Sequence, residues 1–165
     1  MSEAADLGDL LRFGVGALGP AGRRVFLLQC EHKSGLLTLK IEKQQVAVLA
    51  EYLGRLLAEL GRPAAVPEEA GLIAPSEPDW VAGTLGVSYD EGSDRIVLVV
   101  EELVAEDEVG RAARFTVTRE QAGAFAVRAT SVVAAGRPPC PICGMPLDPS
   151  GHACPRTNGH RPPAT

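Results

Sequence analysis

Two stretches of the chain, Phe13 to Leu60 and Trp80 to Ala135, carry the same succession of apolar and polar positions. Gly16-Ala17-Leu18-Gly19 in the first answers Gly83-Thr84-Leu85-Gly86 in the second, and Arg24-Val25-Phe26-Leu27-Leu28 answers Arg95-Ile96-Val97-Leu98-Val99. Leu39-Lys40-Ile41-Glu42-Lys43-Gln44-Gln45 then answers Phe115-Thr116-Val117-Thr118-Arg119-Glu120-Gln121. Each stretch predicts a glycine-containing strand, a turn, a β-branched strand, a polar loop, a third strand and a helix, a βββα unit used twice.

The helical halves carry the stronger signal. Apolar residues fall at Val46, Leu49, Ala50, Leu53, Leu56, Leu57 and Leu60, and again at Ala122, Phe125, Ala126, Ala129, Val132 and Val133. Both sets follow the i, i+3, i+4, i+7 spacing of a helix lying on a sheet. Thr118 and Gln121 spell a T-x-x-Q capping box, which predicts the start of the second helix, and Gly136 with Pro138 and Pro139 ends it.

Turns separate the strands. Gly19-Pro20-Ala21-Gly22 and Tyr89 to Asp94 close the first hairpin of each unit, while His32 to Gly35 and the acidic stretch Glu101 to Gly110 close the second. Between the units, the stretch from Gly61 to Pro78 holds four prolines and reads as a connector without regular structure. The chain therefore divides into an N-terminal segment (1–12), a first βββα unit (13–60), a proline-rich linker (61–79), a second unit (80–136) and a C-terminal tail (137–165). The predicted class is α+β: six mainly antiparallel strands with two helices on one face, followed by a zinc-ribbon-like tail.

Composition narrows the functional classes. The chain has 165 residues, 16 basic and 21 acidic, for a net charge of −5. From Gly136 onward there are three arginines and one acid, so the tail is +2 and the preceding body −7. A whole surface built for nucleic acid is thereby disfavoured, and a weak contact through Arg137, Arg156 and Arg161 is what remains. Only 4% of residues are aromatic, too few for a base-stacking platform, and Trp80 reads as a core anchor. The acidic N-terminus contains no long apolar run, so neither a secretory signal nor a membrane span is expected and the cytoplasm is the expected location.

Three motifs invite chemistry in the body. Gly14-Val15-Gly16-Ala17-Leu18-Gly19 spells G-x-G-x-x-G, yet Pro20, Gly22 and a β-branched strand follow it where a dinucleotide site needs a helix. Close backbone packing is the better reading of these glycines. Glu101, Glu102, Glu106, Asp107 and Glu108 read as a solvated acidic face. Gln45 and Gln121 occupy matched positions as helix caps, and Cys30 in the run Val25 to Cys30 reads as a buried strand residue.

The tail is different. Cys140-Pro141-Ile142-Cys143 and Gly151-His152-Ala153-Cys154 gather three thiols and an imidazole within fifteen positions. A C-x-x-C turn points two sulfurs at one centre, and Zn²⁺ completes its tetrahedron with two more donors. Cys154 is one. His152, two positions earlier on extended backbone, faces the same side, with His160 beyond Thr157-Asn158-Gly159 as the alternative. Four protein ligands, Cys140, Cys143, His152 and Cys154, make a closed structural site rather than an open catalytic one.

The tail CPICGMPLDPSGHACPRTNG, the helix entry LKIEKQQVAVLAEYL and the hairpin from GTLG to VVEEL resemble an actinobacterial family of unknown function, numbered 3090. The resemblance implies a protein partner, a ParA-type chromosome-partition ATPase. The expected function is that of a non-enzymatic, zinc-binding interaction or regulatory protein. Weak nucleic-acid binding through the tail and an enzyme working in a cleft between the two units are the alternatives.

Overall fold

The computed structural model describes residues 4–20, 22–61, 69–73, 77–135 and 142. Seven strands and two helices follow one another as β1 (Ala5–Asp9), β2 (Arg12–Leu18), β3 (Val25–His32), β4 (Gly35–Ile41), α1 (Lys43–Leu60), β5 (Trp80–Asp90), β6 (Arg95–Glu102), β7 (Ala112–Val117) and α2 (Arg119–Ala134). The protein is α+β, a mixed sheet of seven strands with two helices. The sequence predicts six strands; the seventh is β1, in the N-terminal segment. Its residues are mostly exposed, so no apolar alternation announces it, and its pairing with β7 defines it.

The strand order is β1-β7-β6-β5-β4-β3-β2. Strands β2–β4 and β5–β7 are antiparallel runs, while β4 meets β5 and β1 meets β7 in parallel. β1 and β2 sit at opposite ends of this order, yet only Leu10 and Leu11 separate them. Laid flat, seven strands at about 4.8 Å spacing would hold those edges about 29 Å apart. Three residue steps span at most about 11 Å. The sheet therefore curls until its ends meet, and the corner is hydrogen-bonded to both sides: Leu10 N–H donates to Thr116 of β7 (2.9 Å) and Leu11 N–H to Glu31 of β3 (2.8 Å).

Inward-pointing residues alternate along the strands, as pleating requires. Phe26, Leu28 and Cys30 of β3, Ile96, Leu98 and Val100 of β6, and Ala113, Phe115 and Val117 of β7 join one core with Val46, Leu49, Ala50, Leu53 and Leu57 of α1 and Ala122, Phe125, Ala129 and Val132 of α2. Trp80 is in the same cluster, as is Cys30, whose thiol burial pushes far above its ordinary range. On the outer face Leu27 and Gln29 are buried as well. Residues 69–73 of the linker lie against them: Gln29 exchanges hydrogen bonds with Ile73, whose N–H donates to Oε1 at 2.7 Å.

The helices run antiparallel, each ending on an arginine from elsewhere. Neither has a basic residue in its last turn, so the partial negative charge there is met in space. Arg119, first residue of α2, donates to Leu60 O (2.6 Å) and Gly61 O (3.0 Å) at the end of α1. Arg24 donates to Val132 O (3.0 Å) near the end of α2.

Arg119 is itself held by Asp94, whose Oδ1 accepts from Nε at 2.9 Å and from the Tyr89 hydroxyl at 2.6 Å. The Tyr89 hydrogen bond, then that of Arg119, holds the Asp94 carboxyl below its ordinary value of 3.8. A depressed carboxyl contributes stability that is present above the unfolded value and lost as pH falls through the folded one. Asp94→Asn keeps the turn at φ 52°, which Asn tolerates, and deletes that dependence. Urea titrations of both chains between about pH 5 and pH 2 should therefore converge toward the acid end. A constant offset across that range would show that the carboxyl adds nothing through its charge.

Candidate functional site

β5 has eleven residues, but only Trp80 and Val81 pair with β4, opposite Leu39 and Lys40. β4 ends at Ile41 and the chain turns at once into α1, so the other nine residues of β5 project past the end of their neighbour. The first half of α1 stands off from that projecting strand. Between them lies a groove of about 540 Å³, lined by Val48, Leu49 and Tyr52 of α1 and by Gly83, Leu85 and Val87 of β5, with Glu42, Gln44 and Gln45 at the helix entry. Its volume is within the range of small-molecule and peptide pockets.

The lining is mostly hydrocarbon. Val48 and Tyr52 are 58% and 49% exposed, an unusual position for large apolar side chains on a helix whose opposite face is fully buried. Leu85 and Val87, two positions apart on one face of β5, pack partly against the core. Gln45 fixes the groove's inner end: its Oε1 accepts from the Glu42 N–H (2.8 Å) while its Nε2 donates to Gly83 O (2.7 Å). Gln121 does the same for α2, accepting from Thr118 N–H (2.9 Å) and donating to Leu10 O (2.8 Å). The matched glutamines are thus helix caps that also tie each helix to a distant backbone carbonyl, Gln45 to β5 and Gln121 to the corner between β1 and β2. Among the described residues Glu42 is the one carboxylate lining the groove, and the Tyr52 phenol lines it farther along α1. Apolar walls and amides suit recognition of a ligand more than proton transfer.

The zinc ligands expected from the sequence, Cys140, Cys143, His152 and Cys154, and the alternative His160, lie outside the described residues. Among the described residues no group of three or more His, Cys, Asp or Glu side chains is close enough to hold a metal. The acidic stretch resolves into an ion pair and solvated charges. Glu102 binds Arg111 (3.1 Å), whose side-chain hydrogen bonds hold the carboxyl below its ordinary value, while Glu106, Asp107 and Glu108 face water. Gly14 and Gly16 belong to β2, which runs on to Leu18, and the chain turns at Gly19 (φ 99°) toward β3. A Cβ at Gly14 would stand 2.7 Å from Gly71 O, so these glycines admit the crossing linker rather than a phosphate.

The groove is the feature the sequence reading misses. A signal was present: Val48 and Tyr52, four positions apart, set a second apolar ridge on α1 away from the buried stripe of Val46, Leu49, Ala50 and Leu53, more apolar surface than burial on one sheet needs. Among the described residues no helix is long and apolar enough to cross a membrane.

A family model described as "Protein of unknown function (DUF3090)" matches residues 6–154. No curated protein and no solved structure matches the chain.

Proposed function

The chain belongs to the family described as protein of unknown function (DUF3090), and from its groove and its Cys/His tail we propose that it is a non-catalytic, zinc-binding interaction protein. The body is the scaffold, two βββα units read as copies of one another, and the α1/β5 groove is its docking surface. The tail holds a structural Zn²⁺ through Cys140, Cys143, Cys154 and His152. The observation that carries the reading is the groove itself, with exposed Val48 and Tyr52 over Leu85 and Val87 and a single carboxylate at its end. Exposed apolar side chains gathered in one concavity mark an interaction site.

The first partner to test is the ParA-type ATPase that the family resemblance implies. Sedimentation of the purified ATPase with the full-length chain should show a complex, weakened at least tenfold by Val48→Glu, a change at an exposed position that leaves the core intact. In the same preparations one equivalent of zinc is expected, falling in Cys143→Ser without a change in the unfolding midpoint of the body. A complex indifferent to Val48→Glu overturns the groove as docking surface; unchanged metal stoichiometry overturns the zinc assignment.

A further inference from the structure

The groove is built beside an unfinished sheet edge, and we infer that its ligand is an extended segment of a partner protein carrying alternate apolar side chains and a basic end, which adds to β5 as a strand. This inference rests on the binding role proposed above and specifies the partner's chemistry. From Ala82 to Asp90, with a break in register at Gly83 and Thr84, β5 pairs with β6 on one side and, among the described residues, with no strand on the other. Nine residues at about 3.3 Å each leave about 30 Å of edge. Such an edge attracts other strands unless it is covered.

The first position on that edge is already filled in the manner a strand would fill it. Gly83 O accepts from the Gln45 side-chain amide at 2.7 Å, the geometry of a backbone N–H donor. Beyond it Leu85 and Val87 repeat at the two-residue period of a strand, and Val48 and Tyr52 form the opposite wall. An incoming strand that continues the line of β4 places alternate side chains between those walls while its backbone meets β5, the arrangement of β-augmentation.

Charge complementarity selects the partner's polarity. Among the described residues Glu42 is the only charged one lining the groove. The acidic 103–110 loop lies at the same end, Leu103 Cα standing 3.0 Å from where a Cβ on Gly83 would be, and Asp90 and Glu91 lie at the other. The basic residues Arg24, Lys40 and Lys43 line a neighbouring cavity of about 250 Å³ that shares Glu42 with the groove. At the Asp90 end Arg95 and Arg119 offset Asp90 and Asp94, so the acidic bias lies at the Glu42 end with Glu106, Asp107 and Glu108, and a basic residue flanking the apolar run is favoured there.

The test uses the full-length chain and a fluorescein-labelled octapeptide of sequence Lys-Arg-Val-Thr-Val-Thr-Val-Thr. Anisotropy should show saturable binding, weakened at least tenfold by Val48→Glu and severalfold by Glu42→Gln, which keeps a capping side chain while removing the charge. Hydrogen exchange should show the β5 amides between Leu85 and Asp90 that point away from β6 slowed at least tenfold by the peptide. Replacing two of its threonines by proline, which removes backbone donors and keeps the charge, should abolish both effects. Equal binding of the proline peptide, or binding without slowed β5 amides, overturns strand addition even if Val48→Glu still breaks the ATPase complex, a result that would leave the docking reading standing. Slow exchange in the free chain at those outward amides also overturns it: in a sedimenting monomer a segment of the same chain holds the edge, and in a dimer a second copy does.

Discussion

Replacing Phe125 by alanine is expected to cost about 3–5 kcal/mol, the largest effect of any single substitution considered for this fold. Phe125 is fully buried on α2 and stacks on Phe13 of β2, with ring centroids 4.1 Å apart and planes within 11°. Phe13 in turn meets Phe115 of β7 at 5.5 Å in a tilted contact. The three rings join α2 to the two strands that flank the closing corner of the sheet. Alanine leaves a cavity there that cannot collapse, because β2 is held on one side by β3 and on the other by the linker. For a chain of this size the loss corresponds to a fall in melting temperature of about 10 °C, readable by calorimetry. A loss under about 1 kcal/mol would mean that α2 and β2 do not share a core.

Gly14→Ala is expected to cost about 2–3 kcal/mol, although it adds one methyl group. The new Cβ would lie 2.7 Å from Gly71 O and 3.3 Å from Ala70 O, and neither backbone oxygen can rotate aside. Residues 69–73 must then lift from the sheet. With them go the hydrogen bond from Val15 N–H to Ala70 O (2.9 Å), those from Arg12 to Gly71 O, and those between Gln29 and Ile73. Leu27 and Gln29, both nearly inaccessible, become exposed on the outer face. Each lost hydrogen bond costs about 1 kcal/mol, more where a buried amide is left unpaired, partly offset by water. Urea unfolding gives the magnitude, and hydrogen exchange at residues 69–73 shows whether the linker has lifted. Gly86→Ala is the internal control: nothing lies within 4 Å of its Cβ position, so it should be nearly neutral.

Most element positions are legible in the sequence because they rest on periodicities the chain cannot hide. The α1 stripe is buried at Val46, Leu49, Ala50, Leu53 and Leu57, and the box at Thr118 and Gln121 opens α2 where expected. The turn at His32 to Gly35 closes β3 on β4. What escaped were features without a local signature. β1 is polar and exposed, and it is a strand because β7 offers it a partner. The linker has four prolines and, among its described residues, no regular element, yet residues 69–73 form part of the packed structure through contacts to residues more than forty positions away. The groove exists because β4 is shorter than β5, a mismatch that no window of sequence displays.

By itself the sequence determined the α+β class, the two helices with their caps, and three strands in each half, since each follows from side-chain spacing within one segment. It also determined the family membership, which the match over residues 6–154 bears out, and it carries the Cys/His pattern of the tail. Only the tertiary structure decided that the sheet curls shut at Leu10 and Leu11, that Gly14 makes room for a crossing backbone, and that the apolar surplus on α1 faces a projecting strand. Those outcomes depend on which distant segments share space. Pairing and closure are set by the sum of weak contacts across the whole chain, and no local pattern encodes that sum.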